Sequence, residues 1–132
     1  MKMILWIAQV LLALAFLAAG AMKLTQPLAE LAVSLPWTAD VPGVLVRFIG
    51  VAEVLGGLGL VLPAATRILP RLTPIAAAAL ALDMVFATMF HLVRGEVMMA
   101  PITLLLVALL AFVAWGRTTR APIAPRAITA NA

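Results

Sequence analysis

Four apolar stretches, at residues 3–21, 44–62, 74–93 and 98–115, constrain this chain more than any other feature. Each is close to the ~20 residues that a helix needs to cross ~30 Å of hydrocarbon. None has one apolar and one polar face; they are apolar nearly all round, as membrane spans are. The rest of the composition agrees: the chain of 132 residues is 66% hydrophobic and only 11% charged, far from the balance of a soluble domain. No soluble core of this size could hide so much apolar surface, so lipid must be the solvent for the outer faces. The expected fold is all-α, an integral membrane four-helix bundle.

The connections are short and read as follows. Residues 22–43 form the longest, where Pro27 opens a short helix that Pro36 closes, with Leu28, Leu31, Ala32 and Leu35 on one face. Trp37 follows at a position suited to the headgroup level, so this segment is expected to lie on the membrane surface over the bundle mouth, an interfacial helix between spans one and two. Residues 63–73 are a short link rich in Pro and Arg. Arg94-Gly95-Glu96 is a tight turn that makes spans three and four a hairpin, and Pro101 falls in the opening turn of span four, where its missing N–H costs little. Residues 1–116 form the transmembrane domain, and residues 117–132 an expected disordered cytoplasmic tail with little bulk. Lys2 and the small residues Ala18-Ala19-Gly20-Ala21 also resemble a signal peptide, but the apolar run is long and three more spans follow, which favours a retained span.

With four spans, both termini share a side with the second link. That side carries Lys2, Arg67, Arg71, Arg117, Arg120 and Arg126, whereas Lys23, Arg47 and Arg94 mark the other. The asymmetry expects both termini in the cytoplasm. It also explains the net charge of +4 and pI near 11.3 as a topology signal, with no nucleic-acid partner implied. The absence of cysteine from the sequence removes disulfides, thiol redox chemistry and thiolate metal sites.

Ionisable residues inside spans are rare and expensive, and each needs an explanation. Glu53 lies in the middle of span two and Asp83 near the middle of span three. Span two still inserts: its twelve large apolar residues contribute about −4 to −7 kcal/mol against about 3 for the acid. Gly50, Glu53 and Gly57 fall at i, i+3, i+7, so small residues permit close helix approach and point Glu53 at a neighbour. Gly56 belongs to the same packing run. Asp83, Ala87, Phe90 and Arg94 form a stripe on span three. Arg47, one and a half turns from Glu53, has a side chain long enough to reach it. The expected assembly is a buried polar cluster of Lys23, Arg47, Glu53, Asp83 and His91. It reads either as a structural clasp that fixes helix register, as a pocket for a small polar or quinone-like ligand or a proton relay, or as groups facing a partner subunit. No catalytic residue, cofactor-binding residue or metal ligand set is expected: His91 is the sole histidine, and no serine or lysine is paired with a base. The reading leans away from an enzyme.

Ala19-Gly20-Ala21-Met22-Lys23-Leu24 and the run from Arg47 through Gly50, Glu53, Gly56, Gly57 and Gly59 to Pro63 resemble the DoxX-like family of small bacterial membrane proteins. The polar end of span three, His91 and Arg94-Gly95-Glu96, adds to the likeness, which extends to about Arg117. The resemblance implies a four-span bundle in the bacterial inner membrane. It also implies an accessory or scaffold role among membrane or oxidoreductase subunits, because the family takes its name from a subunit linked to quinone-coupled respiratory chemistry. A quinone is the one cofactor it suggests. Relatives that support thiol chemistry rely on cysteine systems, which this sequence lacks. A small transporter or ligand-binding protein using the Arg47–Glu53–Asp83 cluster is the alternative. Lys23, Arg47, Gly50 and Glu53 are the positions that the family pattern singles out.

Overall fold

The computed structural model describes residues 1–127. Its long helices are α1 (Lys2–Thr25), α3 (Gly43–Thr66), α4 (Leu72–Val93) and α5 (Ala100–Trp115), with a short α2 (Leu28–Ser34) between the first two. A 3-10 turn, Val97–Met99, leads into α5, and a wider π turn, Gly116–Arg120, continues it. Four helical segments are therefore long and apolar enough to cross a membrane, and the described residues contain no strand. The protein is a multi-pass membrane protein built as an all-α bundle.

Two helices run beyond their apolar limits. The first continues a full turn past Ala21 to Thr25, and Lys23 rides on that turn. Hydrogen bonding along a backbone does not stop where the hydrocarbon ends, so hydropathy marks the crossing and not the helix. The second, α3, passes through Pro63 to Thr66. Proline has no N–H to give to the carbonyl four residues back, which frees the oxygen of Gly59. The Thr73 hydroxyl at the start of α4 donates to that oxygen at 3.0 Å. A neighbouring helix thus supplies the missing bond, the usual way a membrane helix tolerates proline.

Packing follows the small residues. The most extensive contact is α1 on α3, then α4 on α5, then α3 on α4, while α1 meets α5 only lightly. At the α1–α3 crossing, a Cβ on Gly20 would lie 2.7 Å from the Gly50 carbonyl oxygen and 2.9 Å from the Val54 nitrogen. Only glycine lets the two backbones approach this closely. Gly57 faces α1 as well, against Leu17 and the Ala13 carbonyl. Gly56 and Gly59 face the other way, against Leu80 and Ala76 of α4. One glycine-rich helix thereby seats two neighbours. The core between them is Leu12, Ala13, Phe16, Leu60, Ala77, Leu80, Met84, Leu110 and Val113. Outside it, Leu11, Leu55, Phe86 and Leu105 remain 59–63% exposed, a surface that only lipid or a partner helix can cover.

The link between α1 and α3 caps one end. Pro27 precedes α2, whose Leu31 is fully buried, and a 3-10 turn at Pro36–Asp40 follows. Trp37 meets Phe90 of α4 edge-on, with ring centroids 6.2 Å apart. At the opposite end, the chain after α5 meets the α3–α4 link. Arg67 donates from Nε to the Ala124 carbonyl at 2.9 Å, and the Arg126 amide returns a bond to the Arg67 carbonyl at 2.9 Å. A tail low in hydrophobic bulk is thus held as a strap by polar contacts over residues 121–126. Of the segment expected to be disordered, residues 117–132, positions 128–132 lie outside the described residues.

Gly20→Ala is expected to force α1 and α3 apart, because the atoms it meets are backbone. The cost should be about 1–3 kcal/mol, read as a lowered Tm in detergent. Leu14→Ala, on a side chain 61% exposed, should change stability by less than about 0.5 kcal/mol. Equal shifts for the two would contradict this packing.

Candidate functional site

The α1–α3 crossing positions a charge pair. Lys23 sits in the last turn of α1, and Glu53 lies one turn along α3 from Gly50. Because the backbones touch at Gly20 and Gly50, both side chains fall inside the seam. Lys23 Nζ donates to Glu53 Oε2 at 2.8 Å, and the two residues are only 6% and 4% exposed. Desolvating such a pair is costly, and close geometry in a poorly screened setting offsets the cost. From α4, Asp83 stands at a depth similar to that of Glu53. Its Oδ2 is buried and accepts no hydrogen bond. One ammonium and two carboxyl groups thus occupy this part of the bundle, and of the four carboxyl oxygens only Glu53 Oε2 accepts a hydrogen bond among the described residues.

The expected cluster divides. Lys23 and Glu53 pair, Asp83 makes no hydrogen bond or ion pair with either among the described residues, and Arg47 is bonded elsewhere. Its Nη1 donates to the carbonyls of Lys23 at 2.6 Å and Gln26 at 2.8 Å. Arg47 thus closes the C-terminal end of α1, where carbonyls lack helical partners and the helix dipole favours a cation. Those acceptors are nearer than Glu53, whose charge Lys23 already meets. His91 lies at the link end of α4, apart from the acids at mid-depth. Its Nδ1 is 2.5 Å from Glu96 Oε2, and Arg94 Nε donates to Glu96 Oε1 at 3.1 Å. Arg94 also pairs with Asp40 of the 3-10 turn, which ties the α1–α3 link to the α4–α5 turn. The hydrogen bond with His91, followed by the hydrogen bond and then the charge of Arg94, holds the Glu96 carboxyl below the usual carboxylate range.

A second polar centre involves residues that the sequence reading passed over. Gln9 of α1 is completely buried; its Nε2 donates to the Leu60 carbonyl at 2.6 Å. Arg117, in the π turn, donates from Nε to Gln9 Oε1 at 2.6 Å and from Nη1 to the Ala121 carbonyl at 3.1 Å. Its guanidinium also lies over the Trp6 ring, 5.2 Å from the centroid. An amide within an apolar span was the available signal, since a buried amide needs a partner. Arg117 was masked by its place at the start of a polar tail. Between α4 and α5, the Thr88 and Thr103 hydroxyls meet at 2.7 Å and form a further polar contact inside the bundle.

Residues 7–113 match the model of the DoxX-like family. The chain belongs to the DoxX-like family. No curated protein and no solved structure matches it. The stretch matched to the DoxX-like model contains Gln9, Lys23, Arg47, Glu53, Asp83 and His91, and ends before Arg117.

Lys23→Met should strand Glu53 without a counter-charge and destabilise the bundle by about 3–5 kcal/mol. Lys23→Met combined with Glu53→Leu should recover most of that loss. Additive losses in a detergent unfolding cycle would mean that the pair is not coupled. The Glu96 contribution has a definite sign. A carboxyl with a lowered pKa in the folded state stabilises fully above its unfolded pKa and ceases to do so as pH falls through its folded one. Wild type should therefore lose more Tm than Glu96→Gln on acidification from about pH 5 to about pH 3. Parallel acid limbs would contradict the assignment.

Proposed function

We propose that this chain is a non-catalytic accessory protein of a quinone-linked redox system in the bacterial inner membrane, and that its Lys23–Glu53–Asp83 centre takes up and releases a proton. The observation that carries the proton role is the charge count. One ammonium faces two carboxyl groups in a setting where an unmatched charge is expensive, and Asp83 Oδ2 has no hydrogen-bond partner. A proton restores balance there without needing space. The accessory role and the quinone link rest on membership of the DoxX-like family. The centre itself does not suit a quinone: Lys23 Nζ is committed to Glu53, and a Cβ on Gly50 would already lie 2.9 Å from the Lys23 Cβ. Quinone chemistry therefore belongs to a partner. Cytoplasmic termini are supported by the six basic residues of the terminal side against three on the other.

A purely structural clasp is the second reading, favoured by the position of Lys23–Glu53 at the closest helix crossing. Infrared spectroscopy of the protein in bilayers separates the two. A protonated-carboxyl band should appear and vanish as pH is stepped, and should be missing in Asp83→Asn while Tm is maintained. A spectrum in which wild type and Asp83→Asn titrate alike would leave only the clasp. For the accessory role, mild-detergent purification should bring the chain out with oxidoreductase subunits; a chain emerging alone, with its own quinone reductase turnover, would refute it.

A further inference from the structure

Where α4 begins and α5 ends, a cleft of about 760 Å³ opens on the terminal side of the bundle. Ile75 and Ala78 of α4, Trp115 of α5 and Ile123 of the strap give it apolar walls, and Arg71 and Arg117 supply its charge. Arg117 is built into the fold and only 5% exposed. Its Nε and Nη1 are spent on Gln9 and Ala121, but its buried Nη2 has no acceptor among the described residues. A guanidinium carries five N–H donors, and leaving a buried one unpaired costs its full desolvation. The chain offers no carboxylate side chain to meet it. All five acids, Glu30, Asp40, Glu53, Asp83 and Glu96, lie in the bundle interior or on the opposite side, whereas six basic residues crowd this one. That side thus carries positive charge that no acidic side chain of the protein offsets.

We propose that the cleft binds an anionic phospholipid, its phosphate accepting from Arg71 beside the charge of the Arg117 guanidinium and its acyl chain lying along Ile75, Ala78 and Trp115. The position fits that ligand, since headgroup and first methylenes meet at the end of a membrane span. Basic pockets between helices on this side of a bundle are suited to anionic headgroups. Planar, multi-donor recognition of phosphate is the chemistry that guanidinium groups serve best. The crevice between α1 and α5, lined by Ile4, Leu11, Leu106 and Phe112 with scarcely any polar surface, offers acyl contact but no such donor.

The test uses the full chain, delipidated in detergent and titrated with phosphatidylglycerol or with phosphatidylcholine of the same acyl composition, bound lipid being counted by native mass spectrometry. Phosphatidylglycerol should bind at about tenfold lower concentration than phosphatidylcholine, and Arg71→Gln should weaken it by about tenfold. Ala78→Trp, which fills the apolar wall, should weaken both lipids. Arg71 and Ala78 are exposed and neither supports the core, so the variants should keep the wild-type Tm, unlike changes at Arg117, which also anchors Gln9. Inorganic phosphate is the competing source of the same chemistry. If it displaces the lipid at equal concentration, or if Ala78→Trp leaves lipid binding unchanged, the acyl contact and with it the lipid assignment fail. Equal binding of the two lipids, or an Arg71→Gln protein that binds as wild type does, would also overturn the proposal.

Discussion

The ion pair between Lys23 and Glu53 is the interaction around which this bundle is arranged. A lysine and a glutamate 2.8 Å apart and almost wholly buried must be brought together by backbones that nearly touch. Glycines at positions 20 and 50 allow that approach, and the pair in turn fixes the register of α1 on α3. Sliding either helix by one residue would rotate a charge by about 100° toward lipid, where it has no partner. Arg47 reinforces the same end by closing the carbonyls of Lys23 and Gln26. Three charged groups on two helices thus specify one alignment, which apolar packing in lipid alone would leave loosely determined.

The remaining polar contacts repeat this logic along the bundle. Gln9 reaches the Leu60 carbonyl at the other end of the α1–α3 seam, and Thr73 answers the carbonyl that Pro63 frees between α3 and α4. Thr88 and Thr103 link α4 to α5. Each adjacent helix pair therefore has at least one hydrogen bond that defines its register, while the outward faces carry only apolar side chains for lipid. Asp83 departs from the pattern: it is an acid in the same interior with an oxygen left unanswered. Structural economy does not account for such a group, and the proposed proton role rests on it.

Much of the architecture was legible in the sequence. Span length and uniform hydropathy gave four crossings, Pro27 and Pro36 bracketed the surface helix, and the Gly50–Glu53–Gly57 spacing aimed the acid at a neighbouring helix. What could not be read was which neighbour it would meet. Helical spacing gives the face of a residue on its own helix, whereas pairing depends on how two helices are offset. Arg47 was near enough in sequence to reach Glu53, but the open carbonyls at the end of α1, invisible to composition, drew it away. Nothing local marks Arg117, at the head of a polar tail, as a residue whose partner, Gln9, is over a hundred positions earlier. Pro63 looked like a helix end because its compensation comes from a different helix.

The most direct measurement is the distance between the charges of Lys23 and Glu53 in a lipid bilayer. With Lys2 replaced by arginine, Lys23 is the single lysine, and solid-state NMR can read dipolar dephasing of its ¹⁵Nζ by glutamate ¹³Cδ. Strong dephasing is expected, as for an ammonium in direct contact with a carboxylate, and it should vanish in Glu53→Gln. An Nζ signal that is not dephased, or one whose dephasing survives Glu53→Gln, would contradict the account.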